Sequence, residues 1–172
     1  PLMEFKPKFV NVTYHREEFI YKERENGLLE KIAIRKRPGT VGICAAIMNR
    51  YDVDAVPHLI CGGFSREETE NALIDLQFLG IDNVLALRGD PIKTETNFVP
   101  EEGGHAYAVD LVKQIQQNGI SSLISNHDTA ITRDLYQGAK IVSFNVKRVI
   151  SCKAYERQNV KELLAIYCEQ NL

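Results

Sequence analysis

The spacing of hydrophobic residues changes period several times along the chain, and each change predicts an element. Lys8-Phe-Val-Asn-Val-Thr-Tyr14 alternates and is rich in β-branched residues, which predicts a strand. His15 to Glu25 is dense in charge and reads as a solvated loop or helix. Thr40 can cap a short apolar helix over Val41 to Asn49. Val56-Pro-His-Leu-Ile-Cys61 predicts a second strand, and Gly62-Gly63 the turn that follows it. Ser65-Arg-Glu-Glu68 has the form of a capping box, Ala72, Leu73, Leu76 and Leu79 follow at helical spacing, and Gly80 closes the helix. Asn83 to Leu87 predicts a third strand. A long loop rich in Pro, Gly, Thr and Glu follows, from Asp90 to Gly104, and loops of that length inside a domain often carry function. Tyr107, Leu111, Val112 and Ile115 mark one side of a helix over Ala106 to Gln117.

Strand, helix, strand, helix, strand, helix is the order of parallel βα units. Three such units cannot close a (β/α)8 barrel, which takes about 250 residues. Beyond Gln117 the rhythm changes. Ser121 to Ser125 predicts a short strand, and Asp128 or Thr129 caps a helix from Ala130 to Gln137. Lys140 to Ser151 alternates over a long stretch, Cys152 to Gln158 is a polar turn, and Glu162 to Cys168 is apolar, strand or helix. Two strands joined by a polar turn predict a closing antiparallel hairpin. The expected fold class is therefore α/β: parallel βα units like part of a (β/α)8 barrel, followed by a small α/β segment with a β-hairpin. The expected division is 1–117 and 118–172.

Composition narrows the classes. The 172 residues are 44% hydrophobic and 26% charged, ordinary for a globular protein with a core. A net charge of −2 argues against a nucleic-acid-binding surface over the whole molecule. The charge is uneven: the first 117 residues hold 14 basic and 18 acidic side chains, the remainder 7 and 5. No apolar run reaches membrane-spanning length and Pro1-Leu-Met-Glu-Phe-Lys6 has no signal-peptide core, so a cytoplasmic protein is expected. Pro1-Leu2 reads as an interior stretch rather than a start. Cys44, Cys61, Cys152 and Cys168 form no Cys-x-x-Cys pair, and Cys44, His58 and Cys61 lack paired zinc spacing, so reduced thiols and no metal are expected.

The sharpest chemistry lies in Ala86-Leu-Arg-Gly-Asp-Pro91. A buried strand that runs into Arg88-Gly89-Asp90 sets a charged pair at a strand's carboxyl edge, where α/β folds bind ligands. Gly89 permits close backbone approach or positive φ, and Pro91 stops the strand. A structural ion pair is the plainer reading of the same residues. His58 reads equally as a satisfied histidine or a pocket residue. His127 and Asp128 read as a cap and turn, His15 and His105 as residues of solvated loops, and Lys147-Arg148 as a solvated strand edge.

Val12-Thr-Tyr-His15, Pro57-His-Leu-Ile-Cys61, Gly80-Ile-Asp-Asn-Val-Leu-Ala-Leu-Arg-Gly-Asp-Pro91 and Tyr107-Ala-Val-Asp-Leu-Val112 occur in this order. Together they closely resemble the methylenetetrahydrofolate reductase family of one-carbon metabolism and methionine biosynthesis. The resemblance implies a TIM-barrel flavoprotein, an oxidoreductase that binds FAD and reduces methylenetetrahydrofolate with NAD(P)H. Carried over by motif, Thr13 and Tyr14 would sit at a strand end near the flavin, and His58 would line the same pocket. Leu87, Arg88, Gly89 and Asp90 would form the turn against the cofactor, with Asp90 the catalytic candidate. Tyr107 and Ala108 would contact it from the helix. The family's catalytic Glu on its first strand and about half its barrel have no counterpart in these residues, so impaired turnover is expected. An incomplete barrel also leaves open strand edges, which predicts self-association or a homo-oligomer.

Leu123-Ile-Ser-Asn-His-Asp-Thr129, Thr132-Arg-Asp-Leu-Tyr136, Val146-Lys-Arg-Val-Ile-Ser151 and Glu162-Leu-Leu-Ala-Ile-Tyr167 resemble the C-terminal end of a DNA adenine methyltransferase. The family's Gly-rich cofactor loop and Asp-Pro-Pro-Tyr motif do not occur in the chain. Two further readings therefore stand beside the reductase: an inactive chimera of two α/β pieces joined near Gln117-Asn118-Gly119, and a nucleic-acid-binding piece in which Lys147 and Arg148 touch phosphate.

Overall fold

In a computed structural model of the chain, the described residues are 2–16, 18–34, 38–92, 95–147 and 159–167. They form two compact units, Pro1–Leu111 and Val112–Leu172. The fold is α/β, and the first unit carries parallel strands with helices between them, consistent with part of a barrel-like fold.

The first unit is built on three parallel strands: β1 (Phe9–Val12), β4 (Asp54–Ile60) and β5 (Leu85–Leu87), in the order β1-β4-β5. Val10 pairs with Ala55 and Leu59 with Ala86. Between β1 and β4 the chain makes an antiparallel ribbon, β2 (Glu18–Glu23) and β3 (Leu29–Ile34), then α1 (Thr40–Tyr51). The ribbon corrects the loop-or-helix reading of residues 15–25. Phe19, Ile20 and Tyr21 are consecutive and all exposed, so no buried face imposes alternation. The legible signal was Asn26-Gly27, a hairpin dipeptide: Gly27 sits at φ +74° and Arg24 N donates to Leu28 O at 2.8 Å.

α1 also departs from expectation at its start. Its N-cap is Gly39, with no side-chain cap, because the Thr40 hydroxyl donates instead to the Thr13 carbonyl at 3.3 Å. Helix α2 (Arg66–Phe78) follows the capping-box reading: Glu68 N donates to Ser65 Oγ at 3.2 Å and Ser65 N to Glu68 Oε2 at 2.7 Å. Gly80, at φ +69°, ends it in a Schellman motif, with Ile81 N donating to Leu76 O and Gly80 N to Gln77 O. Leu76 and Ile81 then enter the core with Val12, Cys44 and Ala55, so the helix stop and the packing are one event. Helix α3 (Ala108–Gln117) buries Leu111 and Ile115, whereas Tyr107, just before it, is 61% exposed.

In the second unit, β6 (Ser122–His127), β7 (Lys140–Lys147) and β8 (Asn159–Tyr167) form an antiparallel sheet in the order β6-β8-β7. The ambiguous run at 162–168 is thus a strand up to Tyr167, and it pairs antiparallel with β7 as the hairpin reading expects. That β8 lies between its two partners was not legible. The expected turn at 152–158, Arg148, Cys152 and Cys168 lie outside the described residues. Between β6 and β7 runs α4 (Ala130–Leu135), capped by Thr129, whose hydroxyl accepts from Thr132 N at 3.1 Å. Leu163, Ala165 and Tyr136 make the small core.

Candidate functional site

Most candidate residues of the first unit lie at the carboxyl ends of its parallel strands; His58 lies within β4, and Tyr107 and Ala108 at the start of α3. Thr13 and Tyr14 follow β1, Cys61 to Phe64 follow β4, and Arg88-Gly89-Asp90 follow β5. Cys61 ties two of these ends together, because its N–H donates to Leu87 O at 3.1 Å and its Sγ lies 3.6 Å from the same oxygen. Burial pushes the Cys61 thiol up to about 11, and the Asp110 carboxylate adds to the rise. It is a neutral, buried group rather than a nucleophile.

Gly89 is at φ +83°, where a side chain is strained, and a Cβ there would lie 3.1 Å from Ile60 Cδ1. The β5 end therefore turns flush against β4, and Arg88 and Asp90 remain exposed beside the turn. The Arg88 guanidinium stands 5.4 Å from the centroid of the Phe98 ring, contributed by the long loop. The Tyr14 and Phe64 rings meet at 4.8 Å, tilted by 47°.

A cavity of about 420 Å³ opens between α1, α2 and β4, with Tyr14, Thr40, His58, Phe64 and Leu76 among its walls. The structure thus brings Tyr14 and His58 to one cavity. Thr13 borders it through the Thr40 hydroxyl bond. Leu87, Arg88, Gly89, Asp90, Tyr107 and Ala108 do not line it. They gather at the strand end and at the start of α3. His105, expected in a solvated loop, is buried at 5% exposure. Sequence reasoning missed Arg16, whose partners Glu95 and Glu101 are 79 and 85 residues away. No local pattern announces such a pairing. Among the described residues no three His, Cys, Asp or Glu side chains come together as metal ligands. No helix among them is long and apolar enough to cross a membrane.

In the second unit, Asp128 stands at the centre of a closed polar network. The Asp128 carboxylate accepts from Arg133 Nε at 2.5 Å and Nη2 at 2.8 Å, and from Ser143 Oγ at 2.6 Å. Lys161 Nζ stands 4.0 Å away. These hydrogen bonds, Arg133 first, hold the Asp128 carboxyl well below the ordinary range. With Thr129 as the helix cap, this is the cap-and-turn arrangement, clasping β6, α4, β7 and β8.

The parallel βα sheet places the chain among the α/β proteins, a class in which ligands commonly bind at the carboxyl edge of the strands. The family profile of methylenetetrahydrofolate reductase matches residues 2–130, and the chain belongs to that family. It is 42% identical over 77 residues to methylenetetrahydrofolate reductase (NADH) 1 of Arabidopsis thaliana, covering 45% of this chain and 13% of that one. It is 33% identical over 120 residues to the 5,10-methylenetetrahydrofolate reductase of Pectobacterium carotovorum, covering 69% and 32%. Over a different part of the chain it is 44% identical across 84 residues to the DNA adenine methylase of Haemophilus influenzae, covering 45% and 29%. The chain therefore spans about a third or less of the length of each of these relatives.

Proposed function

We propose that residues 1–117 are the flavin-binding part of a reductase that converts 5,10-methylenetetrahydrofolate to 5-methyltetrahydrofolate with NAD(P)H. The observation that carries this reading is family membership, with Thr13-Tyr14 and Leu87 to Asp90 at the carboxyl ends of strands in one parallel sheet. The residues suit FAD. Gly89, at φ +83° against Ile60, makes the tight turn that leaves Arg88 and Asp90 exposed, and Arg88 offers a planar donor for phosphate or ring. When bound, FAD supplies hydride transfer between the nicotinamide and the folate. Arg88 binds and orients, Thr13 and Tyr14 offer hydroxyl donors, and His58, Tyr107 and Ala108 provide walls. The Asp90 carboxylate opposes added electron density and so tunes the potential, which is its catalytic role. Among the described residues the parallel sheet has three strands and an open edge. We expect weak flavin binding, impaired turnover and self-association through those edges.

The test is an FAD titration of the purified chain, read by absorbance and flavin fluorescence, beside NADH–menadione turnover. Saturable binding that Arg88→Ala weakens supports the reading. A colourless preparation that takes up no added FAD refutes it. Turnover at the level of a complete reductase refutes the impairment.

A second reading concerns residues 118–172, and similarity to DNA adenine methylase favours it. In it, a methylase-derived piece joined near Gln117 contacts nucleic acid through Lys147 and Arg148. It requires DNA binding that weakens as salt rises, and affinity indifferent to salt rejects it.

A further inference from the structure

The Arg16 guanidinium stands between two carboxylates of the long loop. Nη1 is 3.3 Å from Glu95 Oε2 and Nη2 is 2.6 Å from Glu101 Oε1, with the Arg16 side chain only 12% exposed. Its stem crosses Gly62 and Gly63. A Cβ at Gly62 would lie 2.9 Å from Arg16 Cδ and 3.2 Å from Phe98 Cε2, and one at Gly63 would lie 3.2 Å from Arg16 Cγ. Only glycine leaves this passage open. Glu95 Oε2 also accepts from Ile92 N at 3.4 Å. The far end of the loop is fixed separately: Ser65 and Gly104 form a β-bridge, and Arg66 N donates to Gly103 O at 3.3 Å. Between Glu95 and Glu101, the two residues that Arg16 holds, sits Phe98, the ring that meets Arg88.

We propose that Arg16 is a positioning residue for the cofactor site: by holding Glu95 and Glu101 it seats Phe98, and Phe98 seats Arg88. This inference rests on the flavin-binding reading above. Arg16 itself touches no ligand. Its two-pronged grip fixes the loop in one register, which a single ammonium does less well. Arg16 and Glu95 are mostly covered, so water screens that pair less than an open surface pair, whereas Glu101 is 44% exposed.

The experiment uses the full chain and three variants: Arg16→Gln, Arg16→Lys, and Glu101→Gln, which breaks the shorter contact from the other side. Loop seating is read by thermolysin cleavage beside Phe98, with circular dichroism confirming the fold, and cofactor binding by FAD titration. Arg16→Gln should speed the cleavage and weaken FAD binding by about tenfold, the size expected for losing a partly enclosed ion pair. Glu101→Gln should reproduce it and Arg16→Lys should restore part of both. Cleavage unchanged in Arg16→Gln and Glu101→Gln overturns the proposal, as does faster cleavage with unchanged FAD affinity. Equal losses in Arg16→Gln and Arg16→Lys also overturn the two-pronged positioning role. If the unsubstituted chain binds no FAD, the flavin reading itself has failed and the proposal falls with it. That result is told apart because it appears before any substitution is made.

Discussion

The second unit closes its best-defined polar network on itself, whereas the first holds such networks beside charges left open at a strand end. In the second, Asp128, Arg133 and Ser143 satisfy one another, and Thr129 and Thr132 close the same turn. In the first, Arg88 and Asp90 stand exposed at a strand end, beside a glycine whose backbone conformation disfavours any side chain. A group that satisfies its neighbours serves the fold, whereas exposed charge beside a tight glycine turn leaves room for a ligand. On the flavin-binding proposal, the chemistry belongs to the first unit and the clasp to the second.

The comparison breaks most visibly in the cores. Leu163 is fully buried at the centre of β8. Leu163→Ala should cost about 2–5 kcal/mol, the range for emptying a buried leucine site. Hydrogen exchange followed through the full chain should show the loss in residues 112–172 and leave β1, β4 and β5 protected. Equal loss in both units would erase the distinction between them. Next comes Gly89→Ala, which forces a side chain to φ +83° and against Ile60. It should cost about 1–3 kcal/mol, measured by urea denaturation, and should depress FAD binding more than stability. If only stability changes, the β5 turn serves the fold alone.

How much of this was legible follows from where each element stores its information. Ser65, Glu68 and Gly80 announce α2 because caps act within a few residues. β7 is announced by its β-branched and aromatic run, Ile141, Val142, Phe144 and Val146, which suits a pleated strand. The β2-β3 ribbon has no covered face at Phe19 to Tyr21, so its only signal was the Asn26-Gly27 turn. In the site, Leu87 to Asp90 could be read because a strand end is local. That Tyr14 and His58 share a cavity while Arg88 does not, and that Arg16 reaches Glu101, depend on contacts between distant segments. The insertion of β8 between β6 and β7 is hidden for the same reason.

A smaller effect separates local capping from strand-end chemistry. Ser65→Ala removes the acceptor for Glu68 N and should cost about 1 kcal/mol, seen as a lower thermal midpoint. The bond from Ser65 N and the Ser65 hydroxyl holds the Glu68 carboxyl below its ordinary value. FAD binding should be unchanged, since Ser65 belongs to the helix cap. A drop in affinity would show that the cap and its β-bridge to Gly104 seat the loop more strongly than Arg16 does.

The finest test is the Asp128 clasp, where Arg133 is about half exposed and water screens part of the attraction. The folded carboxyl titrates below the unfolded one, so the folded state binds fewer protons through that range. Its stabilising contribution is complete above an unfolded value of about 4 and is lost as pH falls towards the folded value. Thermal melts between roughly pH 5 and pH 2, with hydrogen exchange resolving the two units, should therefore show residues 112–172 weakening on acidification. Asp128→Asn should start less stable at neutral pH and show a shallower acid slope, because the titrating group is gone while the amide keeps only part of the Arg133 contact. An unchanged slope would mean that the acid sensitivity of the second unit comes from other carboxylates. The contrast between an internally satisfied network and the open strand end of the first unit would then lose its electrostatic half.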